Sequence, residues 1–140
     1  MKVMVLVMAT EQSESGELGP AEDFAAMDLY NEKLVEAGVV LAGDGLQPSS
    51  KGKRVAFDGD GNTRVIDGPF AETKELIAGF GIWEVASMDE AVEWVKRSPI
   101  RGSEIEVRKI LDAEDFRESF PAEIMAAEEQ LRAEPTPKQK

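Results

Sequence analysis

Residues 67–74 read Asp67-Gly68-Pro69-Phe70-Ala71-Glu72-Thr73-Lys74. Glycine supplies unusual backbone angles and proline fixes its own, so Gly68-Pro69 makes a tight corner. The corner sets two carboxylates, Asp67 and Glu72, near the amine of Lys74. A carboxylate can give or take a proton at a reacting atom, and an ammonium can hold an anionic group. The segment therefore predicts a polar rim around a cleft, with Asp44, between Gly43 and Gly45, facing the same space. Phe70 and Trp83 would supply an apolar wall, and Gly68 and Pro69 would shape the edge. A rigid turn with a capping aspartate explains the same residues without chemistry. Packing in a core or an interface does the same for Trp83.

What is missing narrows the chemistry. The chain has no histidine and no cysteine. Triads built on His, thiolate catalysis, disulfides and Cys- or His-bearing metal sites are excluded. Acid–base work would fall to Asp67, Asp44 and Glu72, and no metal or redox cofactor is expected. Asp58, Asp60 and Asn62 open like a calcium loop, but Thr63 stands where glycine is needed and Pro69 where glutamate is needed, so a hairpin turn is the better reading. Ser50 and Lys53 match S-x-x-K without companion motifs. Gly79 and Gly81 sit inside a strand, where they mark a bulge or a close approach of backbone or ligand.

These residues must be positioned by the elements around them. Val3 to Met8 is continuously apolar and reads as a strand buried on both faces. Glu11 to Gly19 reads as a loop. A helix follows, with Pro20 at its first position, Phe24, Met27, Tyr30 or Asn31, Leu34 and Val35 on one face, and Gly38 as a left-handed cap. A second strand runs from Val39 to about Leu46. Arg54 to Phe57 and Arg64 to Ile66 flank a turn and form a hairpin. Ile77 to Val85 is a third long strand. Ser87 and Glu90 open a helix with a capping box, and Met88, Ala91, Val92 and Val95 form its apolar face. Trp94 lies off that stripe. Ile105 to Ile110 is a last strand. Asp112 caps a final helix from Ala113 to Arg132, interrupted at Pro121. Its stripe of Phe116, Phe120, Ile124 and Leu131 is expected to dock on the assembly. Without the hairpin the order is β-α-β-β-α-β, the ferredoxin-like pattern of an α+β fold. Both helices then cover one sheet face, and the uncovered face predicts a homodimer, or a higher assembly built from dimers.

The stretch Val65 to Phe80, together with Tyr30 to Gly38, Ala42 to Leu46, Gln47 to Gly52, Ser87 to Lys96 and Glu104 to Arg108, resembles the DGPF group of the YCII-related family. The resemblance covers roughly Met1 to Phe116 and implies a dimeric α+β barrel. It implies no settled activity. A His-Asp pair used by some relatives cannot be carried over to a chain without histidine, and Gln47 stands where relatives often have one. Relatives encoded beside sigma factors imply a regulatory setting.

Composition sets the outer bounds. The 140 residues fit one domain, expected over 1–133, with a disordered tail over 134–140. A net charge of −12 argues against nucleic acid and against an anionic membrane surface. No stretch reaches membrane-spanning length, and no cleavage site follows Ala9, so a cytoplasmic location is expected. Two functions are carried forward. One is a small-molecule-binding protein with carboxylate-based acid–base chemistry, with Gly68, Pro69, Phe70, Lys74 and Trp83 holding the ligand. The alternative is a non-catalytic regulatory or protein-interaction module working through the acidic surface and the extra helix.

Overall fold

The computed structural model describes residues 1–117 and 121–133, with the side chain of Lys74 outside that description. Two compact units, Met1–Lys109 and Ile110–Lys140, are taken separately.

The first unit is a mixed α+β structure. Its strands are β1 (Lys2–Met8), β2 (Val40–Gly45), β3 (Lys53–Phe57), β4 (Thr63–Asp67), β5 (Ile77–Glu84) and β6 (Ile105–Lys109). Its helices are α1 (Glu11–Ser15), α2 (Ala21–Glu36) and α3 (Met88–Lys96). Four strands form an open antiparallel sheet in the order β2-β5-β1-β6, and β3-β4 is a separate hairpin. The sheet does not close into a barrel within the chain. The apolar run that predicts a central strand becomes β1, paired on both edges.

Register decides which side chains share a face, because successive residues of a strand point to opposite sides. Val3 lies opposite Trp83, Val5 opposite Gly81 and Val7 opposite Gly79. On the other edge Val5 meets Val107 and Val7 meets Ile105. This face is the one the helices cover. Val3, Val5 and Trp83 join Tyr30 and Leu34 of α2 and Ala91 of α3 in the core. Leu34 and Val3 are the largest fully buried side chains. Leu34→Ala would cost about 2–5 kcal/mol, as for other buried leucines. The opposite face carries Met4, Leu6, Phe80 and Ile82, bordered by Lys2, Asp44, Glu84, Glu106 and Arg108.

The helices begin and end where local chemistry dictates. Ser87 accepts from the Glu90 amide at the start of α3. Glu90 returns a bond to the amide of Ala86, one residue before the cap. Gly38 follows α2 with φ +71°, a left-handed angle that suits glycine. Pro20 is the N-cap of α2 rather than its first helical residue. Of the expected α2 face, Tyr30 and Leu34 are buried, while Phe24 and Val35 are exposed.

Two further expectations are corrected. The Glu11 to Gly19 segment is not all loop: Thr10 and Ser13 exchange side-chain and backbone hydrogen bonds, and that capping box starts α1. The single final helix is two, α4 (Ala113–Phe116) and α5 (Ala122–Ala133). In this second unit Asp112 caps α4, accepting from the amides of Glu114 and Asp115. α5 starts after Pro121, whose carbonyl accepts from Ile124 and Met125. Phe120 and the tail expected over 134–140 lie outside the described residues. No helix among the described residues is long and apolar enough to cross a membrane.

Candidate functional site

The corner that follows β4 is held by the segment after β2. The amide of Gly68 donates to the carbonyl of Gly52 at 3.0 Å. The amide of Phe70 donates to the Ser49 hydroxyl oxygen at 3.1 Å. Ser49 in turn donates its own amide hydrogen to Glu14 Oε2 at 2.8 Å and its hydroxyl hydrogen to Glu14 Oε1. Gly68 has no room for a side chain, since a Cβ there would lie 1.7 Å from the Ser49 carbonyl oxygen. The Gly68–Pro69 peptide bond is cis.

The polar groups expected at this corner are engaged elsewhere or point into water. Asp67 pairs with Lys53 across the hairpin at 2.5 Å, and its side chain is 74% exposed. Such an exposed pair contributes little. Glu72 is exposed and precedes a 3₁₀ turn, Thr73–Glu75, without capping it through its side chain. The Phe70 ring carries the Arg54 guanidinium over its face, 3.9 Å from the centroid. Pro69 sits in the corner itself. The side chain of Lys74 lies outside the described residues.

Asp44 and Trp83 both border the recess between α2 and the sheet, but their side chains leave opposite faces of the sheet. Asp44 lies opposite Phe80 on β5, and Trp83 lies three residues further along that strand. Odd spacing puts the two on opposite faces of the sheet. Asp44 belongs with Leu6 and Phe80, while Trp83 belongs to the helix-covered core.

A wide recess lies instead on the helix side of the sheet. It is a cleft of about 690 Å³ between α2 and the β2-β5 half of the sheet. Its floor is made by glycines, because Gly43 faces Gly81 and Gly45 faces Gly79 across the two strands. Its walls include Val5, Val7, Met27, Tyr30 and Trp83. Tyr30 donates its hydroxyl hydrogen to the Trp94 carbonyl at 2.6 Å. Burial pushes the Tyr30 phenol up to about 12, against a smaller downward pull from the Arg97 guanidinium. The hairpin turn after β3 is closed by Asp58, whose carboxylate accepts from the amides of Asp60 and Asn62. The side-chain and backbone hydrogen bonds from Asn62 lead in holding Asp58 below the usual carboxylate range.

Of the candidate site residues, Trp83 and Asp44 border the cleft, Trp83 from the helix-covered face and Asp44 from a strand position whose side chain leaves the opposite face. Asp67, Gly68, Pro69 and Phe70 form the corner, with Glu72 just beyond it. Sequence reasoning missed Glu14 and Ser49 as the corner's anchor and β2 as half of the cleft floor. The T-x-x-S capping pattern at Thr10 carried a signal for α1. The glycine floor had none, because it exists only once β2 and β5 are in register.

The model of the YCII-related domain matches residues 1–114. An uncharacterized protein of Rhizobium meliloti (strain 1021) is 39% identical over 70 residues, which is 50% of this chain and 56% of the relative. The chain thus spans just over half the length of that relative.

Proposed function

The chain belongs to the YCII-related family, and we propose that it binds a small molecule in the cleft between α2 and the glycine-floored part of its sheet. The observation that carries this reading is the cleft itself. Its volume of about 690 Å³ falls within the roughly 300–1,000 Å³ of ordinary ligand sites, and its lining is mostly apolar with few polar groups. The setting is a ferredoxin-like domain, supported by the order β2-β5-β1-β6 with α2 and α3 on one face. Two such domains pair through Met4, Leu6, Phe80 and Ile82 into a dimeric α+β barrel. Acid–base chemistry would draw on Asp44, Asp67 or Glu72. None of the three directs its carboxylate into the cleft, which favours binding over catalysis.

Native mass spectrometry of protein taken straight from cells tests this. The expected result is an adduct that is lost on denaturation and absent from Gly45→Leu. Wild-type protein without an adduct, or the same adduct on the variant, would contradict it.

A further inference from the structure

We propose that the cleft takes an uncharged, flat ring compound bearing a hydrogen-bond acceptor, which lies over Gly43, Gly45 and Gly79 and accepts from the indole N–H of Trp83. This rests on the binding reading above and names the class of molecule.

The floor sets the shape. Four glycines opposed in pairs leave a patch of sheet with no side chains on the cleft side. Over Gly81 that space is already taken, since a Cβ there would lie 3.0 Å from Trp83 Nε1. Over Gly45 it is open, with the Ala78 carbonyl oxygen the nearest atom at 3.9 Å. A bare stretch of backbone beside an indole accepts the face of a ring more readily than a branched chain.

Trp83 sets the polarity. The residue is only 5% exposed, yet among the described residues its N–H has no hydrogen-bond partner. No enclosed side-chain nitrogen or oxygen among them lacks a partner. The indole nitrogen therefore keeps a small accessible surface, and the space beside it is the cleft that Trp83 lines. A donor with so narrow an access to water is poorly satisfied by it, and an acceptor on a ligand would match it. The Tyr30 hydroxyl hydrogen cannot serve, because the Trp94 carbonyl holds it.

The lining sets the charge. Among the described residues no lysine or arginine lines the cleft, and the one acidic residue at its border is Asp44. The Asp44 side chain belongs to the other face of the sheet. The other polar side chains that line it, Ser13, Asn31 and Ser98, are neutral, so an ion in the cleft would lose water without gaining a partner of opposite charge, and an uncharged molecule is favoured.

Three probes differing in one group test the proposal on the intact ¹⁵N-labelled chain: 2-acetylnaphthalene, naphthalene and 2-naphthoate. The ketone should shift the Trp83 indole N–H peak and the amides of Gly45 and Gly79 saturably, while the Trp94 indole stays in place. Naphthalene should move the glycine amides, leave the Trp83 N–H unshifted and bind roughly three- to tenfold more weakly, the value of one neutral hydrogen bond. The naphthoate should bind weakest. Gly45→Leu, which the open space over Gly45 accommodates, should abolish all shifts. Tightest binding by the naphthoate, or ketone binding that leaves the Trp83 N–H unmoved, would overturn the ligand class and leave the cleft as a binding site. Failure of all three to move any cleft amide would overturn both.

Discussion

Glu14 holds Ser49 by two hydrogens at once: the Ser49 amide donates to one carboxylate oxygen and the Ser49 hydroxyl to the other. The same hydroxyl oxygen accepts from Phe70. A short helix near the N-terminus thus fixes a corner more than fifty residues later in the chain. Only a carboxylate offers two acceptors to this pair of donors. Ser49→Ala and Glu14→Gln should each destabilise the protein by about 1.5–3 kcal/mol, the range for hydrogen bonds to a charged group. In a double-mutant cycle the two losses should not add. Urea midpoints that stay at the wild-type value would show that the contact carries no stability.

Gly68 is a steric requirement. Gly68→Ala should abolish or severely impair folding, because its Cβ would sit 1.7 Å from the Ser49 carbonyl oxygen. Gly59→Ala is the control, with nothing near its Cβ and no left-handed angle. Circular dichroism melts of the two variants should differ widely. Equal melting temperatures would contradict the packing described at the corner.

Tyr30 is the single tyrosine of the chain, so absorbance at alkaline pH reports it alone. Its phenol is pushed from 10.0 to about 12, chiefly by burial. Below pH 10 the group is protonated in both folded and unfolded chains, and its contribution to stability is fully present. Between 10 and 12 only the unfolded chain ionises, so stability falls as pH rises. Tyrosinate should be nearly absent from the folded protein at pH 10.5, and Tyr30→Phe should flatten the alkaline loss of stability. Half-ionisation near pH 10 in folded protein would contradict the buried placement.

The order of the elements was legible in the sequence because their signals are local. The apolar run of β1, the Ser87 cap of α3, Gly38 after α2 and the turn between β3 and β4 each depend on a few adjacent residues. The candidate site was less legible because it depends on register. Asp44 and Trp83 look like neighbours in a list of interesting residues, yet the pairing of β2 with β5 sends them to opposite faces. Gly79 and Gly81 were noted, but their meaning comes from Gly45 and Gly43 across the strand. Glu14 was hidden in a segment whose serines and glycines suggested a loop.

The face carrying Met4, Leu6, Phe80 and Ile82 is covered by neither α2 nor α3. Light scattering should give a dimer, or an assembly of dimers, at micromolar concentration, and Ile82→Glu should reduce it to monomer. A monomeric wild-type chain, or a variant that associates as before, would remove the proposed interface.

The most direct test of the central claim is a crystal structure of the intact chain purified straight from cells without removal of bound molecules. The account predicts non-protein density against Gly43, Gly45 and Gly79, with an acceptor within hydrogen-bond distance of Trp83 Nε1. A cleft holding only ordered water, or a molecule seated instead at the Asp67–Glu72 corner, would contradict it.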